Sequence, residues 1–490
     1  MAIEMLGYDA HLLNLHTRMP FRFGITTLTA CPHLFLRVEM AIDGQRVHGI
    51  SADHLPPKWF TKNPQSLYRD DLVEMIRMIF AACDSAVKIG KANDVYSFWQ
   101  SLYATHAAWG VANKLPPLLT AFGTSLVERS VIEGFCRASK ISFGDGIRCD
   151  VLGFNLVKHY AASGRGQDWM AGYRPADLLP AQSLRSVNSR HTVGLADYLM
   201  DADIPDAERV TDGLPQSLEA CISTYGLKFF KIKVSGDAQR DRARLQQVAK
   251  VISSAGARDF ALTIDFNENF HEVEPLREQW NQLIGDPSLH NILSRLLFVE
   301  QPLHRDVALG DSVKRSMLAW KDRPPIIIDE SDSSVTTMLT ALESGYVGTS
   351  HKNCKGVFKS IANAMMIAKR HRDDPSGTYV LSSEDLTNIG PVSLQQDIAV
   401  AATIGIEQVE RNGHHYFKGL SMLPDDLSNQ ALASHGDLFH RHPRGFVAMN
   451  VHGGRIDIGS VVDAPFGVGF EFDPSHFTPM DKWDFSSLGT

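Results

Sequence analysis

The sequence predicts an α/β protein: a (β/α)7-8 barrel carrying an N-terminal α+β capping domain that the C-terminal tail completes. Three observations predict it. From Arg190 onward short apolar runs alternate with amphipathic stretches such as residues 245–252, the pattern of parallel βα units. The runs end at Lys233, Asp265, Glu300, Asp329, Lys352 and Glu384, spaced 32, 35, 29, 23 and 32 residues apart, close to the roughly 30 residues of one βα repeat. Each run also stops on a charged residue, and in a parallel barrel all strand ends converge on one face.

At 490 residues the chain is too long for one ordinary core and is expected to divide at 1–185, 186–425 and 426–490: a capping domain, a barrel, and a segment packing back on the cap. A hydrophobic content of 44% with 21% charged residues is that of a globular protein. With 48 Lys+Arg against 56 Asp+Glu and no long basic run, there is no footprint for nucleic acid. No run of 18 apolar residues and no basic-then-apolar leader is found, so neither a membrane partner nor export is expected and a cytoplasmic location is the default. The six cysteines form no CxxC pair and read as reduced core residues.

In chain order, residues 34–39 alternate like a strand and Gly44 sits in the turn before a second strand at 47–50, a hairpin meander. Helical spacing follows, with Leu72, Met75, Ile76 and Ile79, and again over 118–138. Two loops, 19–24 around Phe21 and 53–60 around Trp59, mix aromatic and charged residues. Gly164-Arg165-Gly166 follows no strand and lacks a third glycine, so it reads as a loop rather than a nucleotide fingerprint. Residues 347–352, 379–385 and 405–410 supply the last barrel strands. Arg455-Ile456-Asp457-Ile458 is expected as a strand returning to the first domain.

The strand Phe229-Phe230-Lys231-Ile232-Lys233-Val234 carries the first chemical signal. Two lysines two residues apart share one strand face, while Phe230, Ile232 and Val234 fill the other. Three consecutive strands then end on Asp265, Glu300 and Asp329, and a fourth on Lys352. Three converging carboxylates repel one another unless a cation joins them, and oxygen-only ligation suits Mg²⁺. A buried lysine beside another cation is expected to have its pKa lowered toward neutrality, where the free amine accepts a proton. The chemistry this suggests is abstraction of the proton α to a substrate carboxylate held on the metal.

Taken together, Lys231-Ile232-Lys233, Asp265-Phe266-Asn267, Val299-Glu300-Gln301-Pro302, Ile328-Asp329-Glu330-Ser331 and Lys352 resemble the enolase superfamily. Within it they resemble the muconate-lactonizing enzyme and dipeptide-epimerase subgroup of the mandelate racemase/muconate lactonizing enzyme family. The resemblance spans roughly residues 20–470. It implies a TIM-type barrel with a capping domain, Mg²⁺ on Asp265, Glu300 and Asp329, and a metal-stabilised enediolate. Lys233 and Lys352 become acid/base partners on opposite faces of the substrate, with Lys231 assisting. Asn267, Glu384, Trp59 and Phe21 are expected at the substrate. The overall reaction stays open among racemisation or epimerisation, cycloisomerisation and dehydration, as an isomerase or lyase acting on a small-molecule carboxylate.

Two other classes were weighed: a barrel that binds metal without catalysis, and a sugar-acid dehydratase with a histidine base. The latter needs a histidine at the mouth, and the strand near Leu381 has none. His351 has the opposite strand parity to Lys352 and is expected to pack on a helix. His414, His415, His435, His440, His442 and His452 form no HxxxH on a clear helix, so no histidine metal site is expected there. The sequence leaves the oligomeric state open, although capped barrels often form symmetric homo-oligomers.

Overall fold

The computed structural model describes residues 1–160, 167–257 and 259–489. The loop expected at Gly164-Arg165-Gly166 lies outside them. The chain begins with a long antiparallel meander: β1 (Ile3–Phe23), β2 (Thr26–Ile42) and β3 (Gln45–His54), with β4 (Lys91–Ala92) on the outer edge of β1. Asp43 and Gly44 turn β2 into β3 with φ of 47° and 87°, which an Asp-Gly pair adopts readily. The segment 19–24, expected as a loop, is instead the end of β1 and the start of its hairpin turn. A register shift between His16 and Phe21 keeps the alternating aromatics Phe21 and Phe23 on the ladder.

Three helices cover this sheet: α1 (Tyr68–Ile89), α2 (Val95–Ala112), which the helical spacing had not singled out, and α3 (Pro117–Ser139). α3 crosses β3 so closely that a Cβ on Gly49 would lie 1.9 Å from the Ser130 carbonyl oxygen, so glycine is required there. It is buried on nearly every side and carries its charges as satisfied groups. Arg129 pairs with Asp53 at 2.8 Å, and Glu128 accepts the backbone N–H groups of Val357 and Phe358 in the barrel.

The barrel consists of β5 (Ser186–Val193), β6 (Phe229–Lys233), β7 (Ala261–Asp265), β8 (Leu296–Glu300), β9 (Ile326–Ile328), β10 (Gly348–His351), β11 (Val380–Ser383) and β12 (Gln408–Val409). They pair in parallel in that order, and β12 closes onto β5. The crossover helices are α4 (Leu218–Tyr225), α5 (Ala238–Ser254), α6 (Val273–Ile284), α7 (Asp311–Ala319), α8 (Thr337–Glu343), α9 (Val357–Asp373) and α10 (Ser393–Thr403). Each is held by its apolar stripe; on α5, Leu245, Val248, Val251 and Ile252 are buried, each worth about 1.5–3 kcal/mol. Among the described residues no helix is long and apolar enough to cross a membrane.

Beyond the barrel come α11 (Gly413–Tyr416), the hairpin β13 (Phe439–Arg441) and β14 (Val447–Met449), β15 (Arg455–Asp457) and β16 (Thr478–Pro479). β16 adds to β1 of the cap, and Phe472 and Phe477 stack on Phe35. β15 does not return to the first domain as expected. It runs antiparallel to the start of β5, ahead of the β5 residues that pair with β6. The cysteines are all free thiols; five are buried, but Cys149, just past a short helix, is exposed rather than in the core.

Candidate active site

The register of the central strands places Lys233 beside Asp265 and Asp265 beside Glu300, so three charged strand ends share one level of the barrel mouth. The alternation of β6 buries Phe230 and Ile232 on the outer face and sends both lysines inward. Lys231 Nζ lies 2.8–3.1 Å from four carboxylates: Asp265, Glu300, Glu384 and Glu410. Lys233 Nζ contacts Asp265 at 3.1 Å and the Asn267 side-chain oxygen at 2.8 Å. Lys352, diametrically across the eight-stranded barrel, contacts Asp329 at 2.9 Å and Glu384 at 3.1 Å. Its ammonium lies 4.7 Å from the ring centre of Trp59, which the capping loop lowers over it.

All ten residues expected at the site line or underlie one pocket. Phe21, Trp59, Lys231, Lys233, Asp265, Asn267, Asp329, Lys352 and Glu384 form its wall, and Glu300 lies fully buried beneath. Phe21 stacks on Tyr416 with ring centres 4.1 Å apart, fixing the hairpin tip against the segment after β12. The other loop is held by Arg305, which forms a two-pronged pair with Glu268 and donates to the carbonyls of Trp59 and Phe60. Lys62 adds contacts to Glu268 and to the Asn267 carbonyl. His351 points away from the mouth and bonds Ser360 on α9.

The electrostatics reverse one expectation. Burial alone would lower the pKa of Lys231, but Asp265, Glu300, Glu384 and Glu410 outweigh it and raise it well above the ordinary value. Burial is likewise outweighed at Lys352 by Asp329 and Glu384, and its pKa is also raised. Carboxylates favour the ammonium form of both, and at Lys352 they outweigh the opposing charge of Lys231. Burial and the neighbouring Glu384 push Glu300 well above the usual carboxylate range. Against the effect of burial, Lys231 and Lys352 hold Glu384 well below it.

The carboxylates of Glu300, Asp329 and Glu384 offer oxygens within 4.8 Å of one another, all buried. No hydrogen-bond donor reaches Glu300 Oε2 among the described residues. A buried acceptor without a donor, in an all-oxygen set, fits a hard divalent cation. Asp265 is turned toward the lysines through Oδ2, while Oδ1 accepts the Asn267 N–H at 2.8 Å.

Several participants were not singled out from the sequence. Glu410 directly follows β12 and is fixed by Thr192 and Asn412, each at 2.6 Å. Arg190 reaches Glu384 at 3.4 Å from within the barrel. Lys355 donates to Asp329 Oδ1 at 2.7 Å and to its carbonyl at 2.8 Å. Glu410 follows the same rule of a run stopping on an acid, and that rule could have found it. Arg190 and Lys355 have no such signal.

No family model and no curated sequence matches this chain. Solved structures do. A mandelate racemase/muconate lactonizing protein from Herpetosiphon aurantiacus is similar over 96% of this chain and 99% of its own, at 16% identity and a TM-score of 0.58. An enolase from Bradyrhizobium, solved with magnesium and mandelic acid, is similar over 97% of both chains at 14% identity and a TM-score of 0.54. An N-succinyl Arg/Lys racemase from Bacillus cereus is similar over 94% of this chain and 97% of its own, at 13% identity and a TM-score of 0.54. The chain shares the fold of these structures: a capped TIM-type barrel.

Proposed function

We propose that this protein is a Mg²⁺-dependent enzyme that removes the proton α to the carboxylate of a small-molecule substrate and then returns it or expels a leaving group. The observation that carries the reading is the placement of Lys233 and Lys352 four strands apart, on either side of a buried carboxylate cluster. Asp265, Glu300 and Asp329 would hold Mg²⁺; the oxygens of Glu300 and Asp329 gather with Glu384, while Asp265 Oδ2 contacts Lys231 and Lys233. A bound Mg²⁺ would supply Lewis-acid stabilisation of the negative charge that builds on the substrate carboxylate as its α-carbon is deprotonated.

The chain's own residues do the rest. Lys233, which meets one carboxylate, is the acid/base partner, and Lys231, which meets four, is the fixed counter-ion that keeps the acids together. Asn267 Oδ1 orients the Lys233 ammonium, and φ of 45° at Asn267 turns its backbone N–H onto Asp265. Lys352, an ammonium beside Asp329, would deliver a proton to the opposite face of the same carbon. Phe21 and Trp59 would exclude water and cover the apolar part of the substrate, held there by Tyr416 and Arg305. Lysines on both faces favour racemisation or epimerisation; cycloisomerisation and dehydration share the first step. Among the described residues no histidine lines the pocket, which disfavours a dehydratase with a histidine base.

The test is α-proton exchange in D₂O with Mg²⁺, followed by NMR over pools of acid sugars, N-acyl amino acids, dipeptides and lactonising diacids. Lys233→Ala and Lys352→Ala should each slow exchange by about 10²–10⁴-fold, and with opposite preference for the two substrate configurations. Full exchange without both lysines would refute the reading. Mg²⁺ binding without exchange in any pool would favour a non-catalytic barrel.

A further inference from the structure

Outside the barrel wall, and apart from the carboxylate cluster, three residues distant in sequence meet in one buried place. His191 points outward from β5, Cys221 lies on α4 and His415 on α11. Their ligand atoms lie within 4.8 Å of one another. Cys221 Sγ is 3.6 Å from His415 Nδ1, and the two imidazoles meet edge to face with centres 4.8 Å apart. All three side chains are nearly inaccessible, at 3%, 0% and 2% exposure. Yet His191 Nδ1 has no hydrogen-bond partner among the described residues, and neither does Nε2 of the adjacent His414. A buried ring nitrogen left unpaired loses its water without gaining a partner. A ligand accepting its lone pair would be that partner.

We infer that His191, Cys221 and His415 form a second metal site, for a borderline-soft divalent ion such as Zn²⁺, distinct from the oxygen-lined cluster inside the barrel. Two imidazoles and a thiol are the donors Zn²⁺ takes and Mg²⁺ does not. Separations of this size need only small side-chain adjustments to reach Zn–N and Zn–S bonds of roughly 2.0–2.3 Å. Burial keeps both imidazoles neutral at physiological pH, with lone pairs free to ligate. Cys221 is held as a thiol by burial, so binding would release its proton. The nearby Arg18 is already paired with Asp212 at 2.6 Å and donates to the His415 carbonyl, which leaves the imidazole free.

The site would act as a staple. α11 follows Glu410 and Asn412, which line the pocket, and Tyr416 beside His415 carries the stack on Phe21. An ion there would tie the segment after β12 to the first βα unit and fix that wall of the pocket.

The experiment uses the full chain in a Cys149→Ser background, which removes the exposed thiol. The protein is stripped with chelator and titrated with Co²⁺ in excess Mg²⁺, reading near-ultraviolet thiolate-to-cobalt charge transfer and bound metal by mass spectrometry. The expected result is one equivalent of Co²⁺ with a charge-transfer band, both lost on adding Cys221→Ser. Absence of the band in the parent, or its persistence with Cys221→Ser, overturns the inference. Should Cys221→Ser fail to fold, zinc-edge X-ray absorption on the parent decides alone: a sulfur in the zinc shell supports the site, and a shell of nitrogen and oxygen only overturns it.

Discussion

Replacing Lys231 by methionine tests the electrostatic logic of the barrel mouth directly. Methionine approximates the stem but removes the ammonium that lies 2.8–3.1 Å from Asp265, Glu300, Glu384 and Glu410. Breaking a buried ion pair by deleting one partner costs about 3–5 kcal/mol. For 490 residues the unfolding entropy is about 1 kcal/mol per kelvin, so the melting temperature should fall by about 3–5 °C in EDTA. The stranded carboxylates then take up protons in the folded state. A folded pKa above the unfolded one stabilises at low pH and is lost as pH rises, so the deficit should grow with rising pH. A divalent ion supplies the missing charge, so Mg²⁺ should raise the melting temperature of Lys231→Met more than that of the parent. Differential scanning calorimetry with EDTA and with Mg²⁺ measures this. Melting within about 1 °C of the parent in EDTA, or equal Mg²⁺ shifts in both proteins, would refute the reasoning.

Trp59→Ala removes the ring over the Lys352 ammonium, a contact worth up to about 2 kcal/mol when desolvated. α-Proton exchange should slow by roughly 10-fold and recover partly in Trp59→Phe; an unchanged rate in Trp59→Ala would count against a role for that contact. Glu128 is fully buried and its pKa is pushed up to about 7 by desolvation, against an ordinary value of 4.5. The sign follows: stability is full below about pH 4.5 and falls by about 3 kcal/mol by about pH 7, as the unfolded chain ionises and the folded one resists. Glu128→Gln should flatten that dependence in denaturant titrations, and an unchanged slope would show that the carboxyl does not titrate there.

The sequence by itself determined the barrel and much of its mouth. Period-two apolar runs recurring near 30 residues leave few architectures besides parallel βα units, and a lysine or acid that ends such a run can reach only the common mouth. Lys231, Lys233, Asp265, Glu300, Asp329 and Lys352 were therefore legible as a set. Trp59 and Phe21 were legible as aromatic residues of the capping segments. What only the tertiary structure decided is how the charges are shared. A buried lysine beside another cation is expected to have a lowered pKa; packing sets Lys231 among four acids and Lys352 beside two, and both are raised. From sequence, Glu384 either touches substrate or closes an ion-pair network; the structure pairs it with Lys231 and Lys352 and gathers it with Glu300 and Asp329. The meeting of His191, Cys221 and His415 lies furthest from view, because His415 comes from a short helix 194 residues beyond Cys221 and shares no local pattern with the strand and helix that carry the other two. Periodicity is a local property of the chain. The charge a buried side chain carries depends on neighbours that only folding brings within a few ångströms.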